Sequence, residues 1–126
     1  MRYLPHPPAE QIELAAVLAA LSDPTRLAIV AELDRMPEWE ARCGTFNHLA
    51  SKTTLTYHFA KLREAGVTHA RVAGTARFIS LRRDDLDRRF PGLLDTIIRA
   101  AGKIGERPLQ QAEAEFAAAA KDAARG

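Results

Sequence analysis

Between residues 51 and 82 the hydrophobic spacing changes once, from the period of a helix to that of a strand. Ser51 is a favourable N-cap, Leu55, Phe59 and Leu62 recur at spacings of four and three, and Gly66 supplies a C-terminal stop. Residues 67–72 and 75–82 are then rich in β-branched and aromatic side chains and meet at Ala73-Gly74, where glycine permits a tight reversal. The pattern predicts a helix over residues 51–65 followed directly by a β-hairpin.

On a helical wheel at about 100° per residue, Phe59 and Leu62 fall within about 40° of Leu55, which defines a core face. Thr53, Tyr57, Ala60 and Glu64 land opposite. Thr54 and Lys61 occupy one shoulder, and Lys52, Thr56 and Arg63 the other. The outer side of the first turns thus offers hydroxyls, a phenol and an ammonium, the groups that read base edges and phosphates in a major groove. Arg71 and Arg77, near the tip of the hairpin, extend the same chemistry along a duplex backbone or into a minor groove. His58 flanks the core face, where packing with one ring nitrogen bonded to backbone is the simpler use.

Charge coincides with this segment. Residues 51–83 carry Lys52, Lys61, Arg63, Arg71, Arg77, Arg82 and Arg83 against Glu64 alone, a net +6. Residues 1–50 net −3 and residues 84–126 net −1, so the overall +2 conceals a basic block that attracts polyanions.

Elsewhere the chain reads as helices. Residues 9–21 are apolar almost all round, which calls for cover on several sides, from the chain's own core and from a second subunit. Ser22-Asp23-Pro24 caps and restarts a helix that runs to about Met36, with Leu27, Val30, Ala31 and Leu33 inward and Arg26, Glu32 and Arg35 outward. Residues 38–50 are the least legible stretch: Trp39, Phe46 and Leu49 read as core anchors around a short helix. Residues 91–104 form an apolar helical seam, and residues 109–124 an alanine-rich tail of high helix propensity. The expected organisation is one domain over residues 1–108 and a helical tail over 109–126. The expected fold is mostly α with a small β-hairpin, a winged helix-turn-helix.

With 126 residues, 47% hydrophobic and 27% charged, the chain suits one globular domain. No apolar run approaches the ~18–20 residues of a membrane span, and Met1 to Pro8 does not read as a signal peptide. The single Cys43 cannot make an internal disulfide, so a cytoplasmic location is expected.

Two motifs in this order resemble the ArsR/SmtB family of winged-helix repressors. Residues 20–27, Ala-Leu-Ser-Asp-Pro-Thr-Arg-Leu, are similar to its second-helix signature. Residues 51–67, from Ser51 through His58 to Val67, are similar to its recognition helix, and the likeness spans roughly residues 10–104. The resemblance implies a homodimer paired through its first and last helices, with each recognition helix in one half of an inverted repeat of double-stranded DNA. It also implies a small-molecule effector that relieves repression. Ser51, Lys52, Thr53, Thr54, Thr56, Tyr57, Lys61, Arg71 and Arg77 are the candidate DNA-binding residues.

Metal sensing through a cysteine pair or through histidines of the last helix, as in many members, is not expected. Cys43 and His48 supply at most two ligands per subunit, and no histidine follows His69. No cofactor is expected, and no Gly-rich phosphate loop or Ser-His-Asp pairing points to an enzyme. Asp84, Asp85 and Asp87 read as a helix start. The alternative is a winged-helix module that binds protein or RNA without sequence-specific DNA binding.

Overall fold

The computed structural model describes residues 2–3 and 5–105. The tail expected over residues 109–126 lies outside them. The elements are β1 (Arg2–Tyr3), α1 (Leu14–Ala20), α2 (Pro24–Asp34), β2 (Glu40–Arg42), α3 (Lys52–Glu64), β3 (Thr68–Ala73), β4 (Ala76–Leu81), α4 (Arg83–Arg89) and α5 (Leu93–Gly105). Single 3-10 turns cover Ala9–Gln11, Pro37–Trp39 and Cys43–Phe46.

The expected hairpin is present, but it is the centre of a four-stranded antiparallel sheet in the order β1-β3-β4-β2. Ala73 pairs with Ala76 across a two-residue loop whose first residue, Gly74, has φ 62°. That is the glycine-first pattern of a type II′ hairpin turn. Ile79 and Leu81 on β4 and Thr68 on β3 are buried against the helices. The opposite side of the sheet carries Glu40, Arg42, Arg71 and Phe78.

The continuous helix expected over residues 9–21 is corrected. It breaks into a 3-10 turn, an extended Ile12 (ψ 121°) and α1. Burial decides this over alanine-rich propensity. Ile12 is 1% exposed, its carbonyl accepts a 2.5 Å bond from Arg89 Nη2, and its side chain lies against Gly66 at the exit of α3.

Asp23 caps α2 as expected, its side chain accepting from the Arg26 amide at 3.1 Å, and α2 meets α1 at 102°. Arg26, expected to face solvent, instead turns inward. Its Nε donates to Ala20 O at 2.5 Å and its Nη1 lies 3.1 Å from His58 Nδ1. The short helix expected between residues 38 and 50 is replaced by two 3-10 turns and the strand β2. Glu38 and Trp39 both adopt φ 56° to bring the chain into that strand. Phe46 is fully buried, while Trp39 and Leu49 pack at the edge of the core.

The helix start expected at Asp84, Asp85 and Asp87 is present as α4, whereas β1 has no counterpart among the expected elements. β1 pairs with β3, and α4 carries a single buried side chain, Leu86. Arg83, at the start of α4, contacts Asp34 of α2, Asp87 of α4 and Asp95 of α5, tying three helices together. Among the described residues no single helix is long and apolar enough to cross a membrane.

Candidate nucleic-acid interface

Helix α3 is built by its ends. Ser51 Oγ accepts from the Thr54 amide at 3.2 Å and donates to Thr54 Oγ1 at 2.9 Å, which fixes the first turn of α3. At the other end the Val67 amide bonds to Leu62 O and the Gly66 amide to Arg63 O, both at 3.0 Å. This is the Schellman arrangement, and Gly66 takes the left-handed position with φ 84°. Leu62 and Val67, the hydrophobic pair of that motif, are both fully buried.

Leu55 and Leu62 anchor α3 underneath, and Phe59 packs edge-on against Phe46 with ring centres 5.9 Å apart. His58 is 7% exposed and held by Arg26, not by backbone as the wheel suggested. Arginine can only donate, so Nδ1 of His58 is the acceptor in this contact. The ring therefore locks α3 to the start of α2.

The opposite side of α3 is open. Ser51, Lys52, Thr53, Thr54, Thr56, Tyr57 and Lys61 are all exposed. Their polar groups are not equally available. Thr56 Oγ1 donates to Lys52 O at 2.9 Å, and Ser51 and Thr54 bond one another. Tyr57 is 56% exposed, with Lys61 Nζ 5.4 Å from its ring centre. Lys61 also lies 3.7 Å from Glu64, an exposed pair of little energetic weight.

The two wing arginines named from sequence fall on opposite faces. Arg77 pairs with Val72 while Arg71 pairs with Phe78, and successive residues of a strand alternate sides. Arg71 is clamped by Glu40 (2.6 and 3.1 Å) and stacks over Phe78 at 4.3 Å. Arg77 is exposed on the face that looks toward α3. Arg42 lies beside Phe78 as well, its guanidinium 5.5 Å from the ring. Sequence alone does not single out Arg42, because β2, which delivers it to the wing, carries no strand signal.

Much of the basic block is consumed internally. Arg82 donates to Pro7 O at 2.7 Å and to Asp85 at 3.0 Å, and Arg83 is held by its three carboxylates. Lys52, Lys61, Arg63 and Arg77 remain around α3 and the inner face of the wing.

Two hollows flank this region. One, of about 370 Å³, is lined by His6, Trp39, His69, Arg82, Asp84 and Asp85. The His6 and His69 rings stack there at 4.1 Å, and His6 Nε2 accepts from the Ala70 amide at 2.8 Å. Burial, then Arg82, holds the His69 imidazole below its ordinary value. The other hollow, of about 150 Å³, lies between α3 and the wing and includes Cys43, whose thiol is pushed up by burial and drawn back by Arg77. His48 bonds Glu32 at 2.8 Å. Among the described residues no group of three or more His, Cys, Asp or Glu is placed to hold a metal ion.

No protein-family model matches the chain. Over 85 residues it is 40% identical to the uncharacterised HTH-type transcriptional regulator YceK of Bacillus subtilis (strain 168), covering 66% of this chain and 84% of that protein. A crystal structure of an ArsR family transcriptional regulator is similar over 74% of this chain and 96% of its own, with a TM-score of 0.54 and 18% identity. The MarR family regulator Sco3205 from Streptomyces coelicolor, solved in complex with DNA, covers 90% of this chain and 79% of its own with a TM-score of 0.47 and 16% identity. A capped, outward-facing helix, a wing beside it and a close relative in sequence converge: the chain belongs to the HTH-type transcriptional regulators and has the winged-helix fold of the ArsR family.

Proposed function

We propose that the protein is a dimeric repressor that binds an inverted-repeat operator in the cytoplasm and is released by a small-molecule effector. The observation that carries the reading is the exposed side of α3, where Thr53, Tyr57 and Lys61 stand clear of the protein while Leu55 and Leu62 hold the helix from below. In this reading Thr53 and Tyr57 read base edges, and Ser51, Lys52, Thr54, Thr56 and Lys61 position the helix on phosphates. Arg77 follows the backbone from the wing. Arg71 acts on the same contact indirectly, by bracing the wing through Glu40 and Phe78.

Dimerisation is supported by α1, whose Leu14 and Leu18 are 45% and 46% exposed and lie one turn apart. Large apolar side chains exposed together on a helix favour cover by a partner. A two-fold dimer would set its recognition helices ~34 Å apart, one turn of duplex.

The test is binding to duplex from immediately upstream of the protein's own gene, measured at several salt concentrations. Lys61→Ala and Arg77→Ala should each weaken binding to every sequence and lower the salt slope by about one unit per lost phosphate contact. Tyr57→Phe and Thr53→Ala should change the ranking of operators. Unchanged slopes would remove the cations from the interface, and equal binding to random duplex would favour a protein- or RNA-binding module instead.

A further inference from the structure

Thr56, Phe59, Ala60 and Arg63 form one stripe of α3, at the helical spacings that bring side chains onto a common face. The stripe looks across the 150 Å³ hollow at Ala70, Arg77 and Ile79 of the sheet and at Cys43. Its floor is apolar and its edge is cationic. Arg63 lines the hollow, and its Nε, closed off behind it, has no hydrogen-bond partner among the described residues. Among the described residues no carboxylate lines the hollow: Glu40 is engaged by Arg71, and Glu64 lies toward Lys61. The Cys43 thiol, held protonated by burial, adds no negative charge.

Two guanidinium groups lining one hollow, with no carboxylate among its described lining residues, call for an acceptor anion. The apolar floor calls for something other than water or an inorganic ion. A space of this volume accommodates one six-membered aromatic ring.

We propose that this hollow is an effector site for a small aromatic monocarboxylate, with the ring against Phe59 and Ile79 and the carboxylate between Arg63 and Arg77. The proposal rests on the reading of the chain as a DNA-binding regulator for its consequence. An anion seated on Arg77 withdraws that cation from the duplex, and a ring wedged under the wing fixes its distance from α3. Ligand and operator therefore compete.

The experiment uses the full chain with benzoate as probe, benzamide as its neutral counterpart and inorganic phosphate as the anion without a ring. Calorimetry gives the affinities, the Arg63 Nε–H resonance reports occupancy, and anisotropy of the labelled upstream duplex gives DNA binding. Benzoate should bind and shift the Arg63 resonance, and it should weaken duplex binding by about tenfold at saturation. Benzamide and phosphate should bind at least about tenfold more weakly. Arg63→Gln, which removes the charge, and Ala70→Leu, which fills the hollow without touching charge, should lose benzoate by a similar factor. Melting curves for both variants establish that they are folded.

Absence of benzoate binding would overturn the proposal, as would phosphate binding as tightly as benzoate, which would make the hollow a seat for duplex phosphate. Benzoate affinity unchanged in both folded variants would place the ligand elsewhere and also overturn it. A protein that binds duplex but not benzoate loses only this site. One that binds benzoate but no duplex keeps the site and loses the regulator reading.

Discussion

Replacing Gly66 by alanine tests the joint between the N-terminal segment and the recognition helix. Two costs are readable from the geometry. The backbone there has φ 84°, and a residue with a Cβ pays roughly 1–2 kcal/mol for the left-handed conformation. A Cβ at this position would also stand 2.6 Å from Ile12 Cγ1 and 2.9 Å from Cδ1. Ile12 is 1% exposed, so displacing its side chain disturbs the packed core, and overpacking adds roughly 1–3 kcal/mol. The sum, about 2–5 kcal/mol, is a large share of the stability of a domain this size. Urea denaturation followed by circular dichroism should show a lower midpoint with an unchanged slope. A double-mutant cycle separates the two costs. Ile12→Ala alone opens a cavity at about 2–5 kcal/mol, but combined with Gly66→Ala it removes the clash, so the pair should fall short of additivity by about 1–3 kcal/mol. Strict additivity would refute the steric half of the reasoning, and a Gly66→Ala protein as stable as the parent would refute both halves.

Three further outcomes are expected. Ser51→Ala removes the cap of α3 and should cost about 1 kcal/mol in chemical denaturation, whereas Ser51→Asp, which keeps an acceptor, should not. Arg83→Gln leaves Asp34, Asp87 and Asp95 facing one another and should destabilise by about 2 kcal/mol, with partial recovery when Asp95→Asn is added. His69 is kept neutral by burial and Arg82, against the opposing pull of Glu40 and with a smaller push from Arg71. The unfolded chain therefore binds its proton more readily, so this contribution is present above about pH 6.5 and is lost as pH falls through the lowered folded value. Melting temperature should drop on acidification below pH 6.5, less steeply in His69→Gln; an equal slope in that variant would rule His69 out as the source.

What could be read from sequence was what a short window encodes. Ser51, Leu55, Leu62 and Gly66 lie within sixteen consecutive residues and specify α3 with both its ends. Asp23 and Pro24 likewise mark the start of α2 without reference to anything distant. The misreadings depended on tertiary partners. Residues 9–21 have the composition of one helix, and distant partners, the Gly66 niche and the Arg89 side chain, hold Ile12 outside it. β2 has three residues and no alternation, and its course depends on two left-handed residues, Glu38 and Trp39, whose types give no such signal. Missing β2 had a consequence at the site: without Glu40 in place, Arg71 looked as available as Arg77. Of α4 only the start is legible, in Asp84, Asp85 and Asp87, since a seven-residue helix with one buried leucine has no periodicity to detect. Arg26 looked like a surface residue because its acceptors, Ala20 O and His58, belong to other elements.

The placement of β1 bears on how this protein should be handled. Unpaired main-chain amides along the rim of a sheet invite strands from other molecules to add on, and β3 would present such a rim if nothing lay beside it. Arg2 and Tyr3 occupy it opposite Val72 and Arg71, and the His6 ring takes the amide of Ala70 further along. Trimming the first eight residues, as is common when preparing shorter versions for crystallisation, would strip this cover from the wing and favour self-association at high concentration. A purification tag is better attached at the far terminus.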